Sequence, residues 1–576
     1  MSKIKPLQAF ASAKSVGFSG IGSQTPLSLD GAADMCNFRI SADGTLRTRS
    51  GYRKLFSFGS ADERIRGIWE GVYSGNRICF VVAGQTVYLF DATAKSAQSV
   101  GTVSDAERDV FFFCYSDEIY LFDGETIQIY RKVSKKFEVN VPYVPLHGQD
   151  WHPTKFGDVY EEPNLLTPHL RIHYYNSTGT KTFYFPYFPS AVDGVRADGV
   201  ATTDYEFDEG SDFLTLTTSS VPTYVEIAIT LDMHDEVRER IRSSLYAYVH
   251  SQSKEGKETV LLYGGENDPS LYCTKPITAV QLNHCMLFYR KADKLYIRSK
   301  DILTPGDRDH PLTSLCPVYD SLLAFDGIQA HLLTFEENGT ISSTRIPSYG
   351  SVFKGICPTI AGKPVLLNKS GVFLLSPSAS RPETPEVKKI SDLVDGYFSS
   401  EIKASAIGRF DLENGELWVC SPEEENGSVL VWNTQRKEWY RFDHIGASAF
   451  FEHSYGKGFA RGNSLYVLED SLFTDDDEEI HAYYQSNYFD MGASETPRRA
   501  LRISVCANPH GNEATLEMTT ERGTKTRSLP QRSAGEAPSN YDFRFGIRRH
   551  RFLRFCIRTQ GRAQSEILKI AFYANL

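Results

Sequence analysis

Short runs of mixed apolar and polar residues, bounded by Gly, Asp or Asn, recur along most of the chain and carry the period of two that marks strands. Residues 77–82 (RICFVV) are followed by Gly84 and then by 86–90 (TVYLF). Residues 110–115 (VFFFCY) are followed by 118–122 (EIYLF). These hairpins are copies of one unit, because Tyr88-Leu-Phe-Asp91 returns 32 residues later as Tyr120-Leu-Phe-Asp123. Further pairs fall at 286–289 with 294–297, 321–325 with 331–335, and 364–367 with 372–375. Residues 416–420, 428–432 and 439–442 form another set, and 464–468 a last strand. The repeated element is a strand, a Gly/Asn/Asp turn, and a strand that often ends in an aromatic residue.

A small sheet of this kind cannot bury both faces alone, so such units stack around an axis. The pattern predicts a mainly β protein built as a β-propeller. The 32-residue step is shorter than the roughly 40–50 residues of common blade families, which leaves the blade number open. Two regions depart from the repeat. Residues 150–265 hold an aromatic cluster (Tyr174, Tyr175, Phe183, Tyr184, Phe185, Tyr187 and Phe188). They also hold Val237, Ile241, Leu245 and Val249 at intervals of four, which predicts a helix over 235–250 capped by Asp232 or Asp235. This region reads as an inserted α+β domain whose core is the aromatic cluster; a carbohydrate-contacting or membrane-contacting tip is the other reading. After the acidic stretch 475–479, residues 488–490 lead into alternating runs at 501–505, 552–558 and 567–572, which predict a β-sandwich. The expected organisation is an extended N-terminal arm with a hairpin (1–60), first blades (61–149), the insertion (150–265), remaining blades (266–475) and a basic C-terminal β-sandwich (476–576).

Composition narrows the class. Of 576 residues, 41% are hydrophobic and 23% charged, which suits a packed core rather than a disordered chain. The aromatic share of 12%, with 43 Gly and 26 Pro, favours strands and turns. No run reaches the roughly 18 apolar residues of a spanning helix. The first residues lack a long apolar run and a cleavage site, so Sec-type secretion is not expected. Ten cysteines include no C-x-x-C pair and read as small buried residues in a reducing compartment. The net charge of −10 is uneven: residues 495–576 carry 15 Lys+Arg against 7 Asp+Glu, leaving the body strongly acidic. Arg498, Arg499, Arg548, Arg549 and Arg551 in this basic module are candidates for ion pairs with a partner or a neighbouring subunit; a solvated surface is the simpler reading.

The search for reactive motifs is negative. The chain has no phosphate-binding Gly-rich loop, no H-E-x-x-H and no G-x-S-x-G. The acidic stretches 423–425 and 475–479 lack the spacing of a calcium loop. Residues 41–47 approach the S-x-D-x-G-x-T-W box of sialidase propellers, but with the Gly one place early and no Trp. No catalytic residue, metal ligand or cofactor is singled out, and the expectation is a protein that is not an enzyme.

Residues 34–53 carry a distinctive pattern: Asn37 in an extended segment, an Asp43-Gly44 hairpin turn, then Arg47, Arg49, Gly51, Tyr52 and Arg53. It resembles the N-terminal signature of the tail nozzle proteins (tail-tube, DNA-stabilisation, head-to-tail completion) of short-tailed bacteriophages. The order of blades, insertion and closing sandwich is also similar to that family. The resemblance implies a structural virion protein, made in the host cytoplasm and located in the tail. It implies a homohexameric ring below the portal-adaptor complex that retains packaged DNA, provides its ejection channel and docks tail fibres or tailspikes, with contact to the host surface. Genomic DNA would pass without sequence-specific binding, and an acidic wall would let this dense polyanion slide where a basic one would hold it. The alternatives are a monomeric carbohydrate-binding propeller (a lectin or adhesin) and, behind it, a propeller glycosidase.

Overall fold

The computed structural model describes residues 31–575 apart from 42, 106, 116, 252–257, 275–294, 306–308, 337–340, 347, 377–383, 393, 403–404, 423–426, 454–455, 489–498, 534–535 and 546–551. The regular structure of the described chain is almost entirely strand. Seven four-stranded antiparallel units follow one another at 65–102, 111–139, 246–303, 314–346, 359–389, 407–442 and 449–469, the last completed by Gly51–Ser57. They are numbered here as blades 1 to 7. First strands of successive blades touch: Ile65–Tyr73 meets Phe111–Tyr115, which meets Tyr246–Ser251, and Ile407–Asp411 meets Ala449–His453. Ala449–His453 returns to Ile65–Tyr73, which closes the ring.

The blade strands read as apolar runs because both faces are buried. In Asn76–Ala83, Phe80 and Val82 face blade 2 while Cys79, Val81 and Ala83 face blade 7. In Glu118–Phe122, Ile119 and Leu121 pack on blade 1, and Tyr120 and Phe122 on blade 3. In Glu258–Tyr263, Val260 and Leu262 face blade 2, and Leu261 and Tyr263 face blade 4. Alternation therefore survives as a choice between two cores rather than between core and water. The ring is fastened by Gly51–Ser57, an N-terminal strand that pairs antiparallel with Ser464–Glu469 from the other end of the chain.

The insertion leaves the ring after blade 2. Its five-stranded sheet runs from Leu146–Trp151 to Tyr224–Thr230, and a three-stranded sheet packs on it. Tyr174, Phe183 and Phe185 are buried in its core, whereas Tyr175, Tyr184 and Phe188 are exposed. The expected helix over 235–250 is shorter, Asp235–Arg242, and His234 rather than Asp232 or Asp235 precedes it as the cap. Tyr246–Ser251 is instead the first strand of blade 3, paired residue by residue with Glu258–Tyr263. An interval of four is also two strand periods, so Leu245 and Val249 fit either element, and tertiary pairing decided. Ile241 packs into the core between blades 2 and 3, so the inserted module is itself all β and residues 246–263 belong to the ring.

Two five-stranded sheets form the sandwich. One holds Ala32–Cys36, Glu478–Ser486, Leu553–Gly561, Glu513–Thr520 and Gly523–Leu529; the other holds Phe38–Ile40, Leu46–Thr48, Glu566–Asn575, Arg499–Asn508 and Ser539–Phe543. Residues 32–48 are thus part of the sandwich rather than a free arm. Met35, Phe38 and Leu46 are fully buried in its core with Leu516, Phe555 and Phe572. Through Thr474–Asp475 the first sheet continues into blade 7, giving one ten-stranded sheet in which Ala32–Cys36 branches from Glu478–Ser486. Of the expected strands, 286–289 lies outside the described residues. Of the nine described cysteines, Cys114 is exposed and Cys506 half-buried, contrary to the expectation that all are core residues.

Candidate functional site

The residues of the 34–53 pattern meet where hairpin, closing strand and sandwich join. Asn37 links Ala32–Cys36 to Phe38–Ile40, strands of opposite sheets, with a left-handed φ of 56°. Asn tolerates that conformation better than most residues. Its Nδ2 donates to the Asp443 carboxylate and to the His481 carbonyl (2.7 Å). Its Oδ1 accepts from Arg49 Nε at 2.8 Å and from the Asp443 backbone N–H at 3.1 Å.

Arg49 is 1% exposed, and its five N–H groups find five acceptors. Nη1 donates to Asp475 Oδ1 (2.8 Å) and the Ser50 carbonyl (3.0 Å); Nη2 donates to Asp475 Oδ2 (2.5 Å) and the Asp443 carbonyl (2.9 Å). Nε takes Asn37. The planar fork and the two carboxylate oxygens make a bidentate pair that a lysine would not reproduce. Gly51 lies so close to the chain before the sandwich that an added Cβ would fall 1.9 Å from the Thr474 carbonyl oxygen. The Tyr52 hydroxyl donates to the His444 carbonyl (2.7 Å) and accepts from Arg461 (3.1 Å). Burial, with Asp475 nearby, pushes that hydroxyl up to about 12.

The other four residues lie at the surface. Asp43 and Gly44 turn the hairpin, Gly44 with φ 83°. Hydrogen bonds from Ser41 and from the Thr45 N–H pull the Asp43 carboxyl down to about 2. Arg47 pairs with Glu566 (3.1 Å) and Arg53 with Glu469 (2.8 Å), both partly in water, where such pairs contribute about 0–1 kcal/mol.

A second network lies alongside. Asp34 accepts from the hydroxyls of Tyr483 (2.6 Å) and Tyr397 (2.9 Å) and pairs with Arg441 (3.3 Å). It joins the sandwich to blade 6 and to the helix Asp395–Glu401. Sequence reasoning missed Asp443 and Arg441 and gave no junction role to Asp34 or Asp475. Asp475 reads as the start of a solvated acidic stretch, yet it is 5% exposed. Only its partner marks it out, and no local signal announces that partner. The Cys36 thiol within this junction is pushed up to about 12 by burial and by Asp443, which makes it unreactive.

Of the basic candidates, Arg498, Arg548, Arg549 and Arg551 lie outside the described residues. Arg499 opens a sandwich strand opposite Asn575. Among the described residues no three His, Cys, Asp or Glu side chains gather to hold a metal ion, and no described helix is long and apolar enough to cross a membrane. The ring axis encloses a cavity of about 520 Å³ whose wall includes Arg64, Arg66, Lys354 and Arg461 against Asp109. Its charged side chains are thus mainly basic. Phe111 and Tyr246 also line it, and it has no room for a duplex whose major groove alone is about 12 Å wide.

No family model and no curated protein matches the chain. Several solved structures are similar at low scores. A virginiamycin B lyase from Staphylococcus aureus is 8% identical, covering 72% of this chain and 97% of its own, with a TM-score of 0.33. An exo-β-1,3-galactanase from Phanerochaete chrysosporium is 6% identical, covering 85% and 99%, with a TM-score of 0.18. A carbohydrate-binding module, TmCBM61, is 12% identical, covering 31% and 92%, with a TM-score of 0.14.

Proposed function

We propose that the chain is a structural subunit of a viral tail nozzle, assembling with copies of itself into a ring that holds back and then conducts packaged DNA. The observation that carries the reading is the buried Asn37–Arg49–Asp475 junction. Residues of the nozzle-like pattern tie propeller, closing strand and sandwich into one body, and the sheet runs unbroken from blade 7 into the sandwich. A conduit subunit has to transmit load without opening, and a satisfied buried network resists opening where surface pairs do not. The conduit in this reading lies between subunits, since the propeller axis is too narrow. The acidic body supplies its wall, and the portal-adaptor complex and the fibres or tailspikes dock on its ends.

Native mass spectrometry of the full chain with the portal-adaptor complex, and electron microscopy of antibody-labelled particles, test this. A closed ring and a labelled tail are expected. A chain that stays monomeric with those partners and is absent from purified particles overturns it. A second reading, a monomeric carbohydrate-binding propeller, is favoured by surface aromatic pairs on the insertion, in which Tyr175, Tyr184 and Phe213 are exposed. Tyr175 and Tyr224 lie 5.3 Å apart, and Tyr184 and Phe213 5.7 Å. Glycan binding by a monomer, lost on Tyr175→Ala, would select it.

A further inference from the structure

Between blades 6 and 7, beside the hairpin, lies an open cleft of about 190 Å³. We infer that it is a binding site for one ring of a neutral saccharide. This goes beyond the nozzle reading and does not depend on ring assembly.

The first argument is the aromatic wall. Trp418 and Phe450, both half-buried, line the cleft, and the fully buried Phe442 backs them. Trp418 and Phe442 meet edge to face, 5.6 Å apart at 64°. The indole is held in place before any ligand arrives. Its Nε1 donates to Glu416 Oε2 at 3.2 Å, and Glu416, 3% exposed, is paired at 3.2 Å with Arg39 from the hairpin. The Arg39 guanidinium in turn lies 5.3 Å from the centre of the Phe442 ring. A platform fixed in this way loses little freedom on binding. An aromatic face suits the C–H face of a pyranose, whose rim of hydroxyls needs partners in its plane.

Those partners line the same cleft. Asp411, Glu413, Asn414 and Lys457 stand at its edge. Lys457 Nζ donates to the Asp411 carboxylate and to Glu413 (2.8 Å), and Asn414 Nδ2 donates to Asp411 Oδ2 (2.8 Å). An ammonium has three N–H groups and a carboxylate about four acceptor positions. The third Lys457 N–H, the Asn414 carbonyl oxygen and most of Glu413 therefore remain to pair with hydroxyls.

The charge balance selects the ligand class. Arg39 is paired with Glu416, Lys457 with Asp411 and Glu413, and Arg409 with Glu452. An anionic ligand would have to displace one of these carboxylates from its base. A polyol donates and accepts without net charge and leaves every pair intact. The cleft lies below the roughly 300–1,000 Å³ of drug-sized pockets and holds about six water volumes at ~30 Å³ each, which suits a single ring with the rest of a chain in solvent.

The test uses the full chain and four probes: glucose, galactose, N-acetylglucosamine and glucuronate, read by saturation-transfer NMR and calorimetric titration. At least one neutral sugar is expected to bind with Kd below about 10 mM. Trp418→Ala and, separately, Asn414→Ala should each weaken it about tenfold or more. Asn414 lies in an exposed turn, so its variant tests the site even if Trp418→Ala fails to fold. Val200→Ala, at an exposed position of the insertion away from the cleft, should leave binding unchanged. The inference is overturned if no neutral sugar binds, if Asn414→Ala binds as the parent does, or if glucuronate binds more tightly than glucose. Ring assembly is measured separately, so failure here and failure of the nozzle reading are distinguishable.

Discussion

Arg49→Met removes five hydrogen-bond donors from the junction while keeping an apolar stem of similar reach. Asp475, at 5% exposure, is left as an uncompensated carboxylate, and the Asn37 and Asp443 carbonyl oxygens each lose a donor. Removing one member of a buried ion pair costs about 3–5 kcal/mol. The loss expected here is of that size, about 3–5 kcal/mol. It should appear first as opening of Gly51–Ser57, the strand that fastens the ring. Native-state hydrogen exchange followed by mass spectrometry reads that opening directly. Because the pair is buried, the loss should persist in high salt. Asp475→Asn in the Arg49→Met background removes the stranded charge, so the double variant should be more stable than the sum of the single losses by about 1–3 kcal/mol. A loss below about 0.5 kcal/mol, the usual range of surface substitutions, or additivity of the two changes would refute the reasoning.

Gly51→Ala places a methyl against the Thr474 backbone, where nothing flexible gives way. It should lower the thermal midpoint and accelerate proteolysis within residues 51–57, and an unchanged midpoint would count against the close approach. Burial holds His147 and His250 below the ordinary imidazole value. The unfolded chain then binds protons near pH 6.5 that these folded side chains refuse, so their contribution to stability is present above that pH and is lost as pH falls below it. Burial also raises Glu161 and Glu438. Those carboxyls act in the opposite sense, their stability being lost as pH rises through their folded values. Comparison with a variant isolates the imidazoles: His147→Gln with His250→Gln should reduce the loss of midpoint between pH 7.5 and 5.5, and an equal loss in parent and variant would refute it.

Strand pairs at 77–90, 110–122, 321–335, 364–375 and 416–442 are legible because backbone geometry writes a period of two into any buried sheet, and Gly, Asn and Asp mark its turns. Apolar runs on both phases of that period already say that both faces are covered. The sandwich and the Asp43-Gly44 turn are legible for the same local reason. What lay beyond local reading is what touches what. The interval of four in 235–250 belongs to helix and strand alike, and only pairing with Glu258–Tyr263 settled it. The hairpin 32–48 looks like an arm until its strands find partners more than 400 residues away. Arg49 is marked in the sequence only as a member of the 34–53 pattern, and it becomes the centre of the junction because the fold brings Asp475 to it across 426 positions. Periodicity is a property of neighbours along the chain, whereas an ion pair of that span depends on topology, and topology is set by the packing of the whole ring.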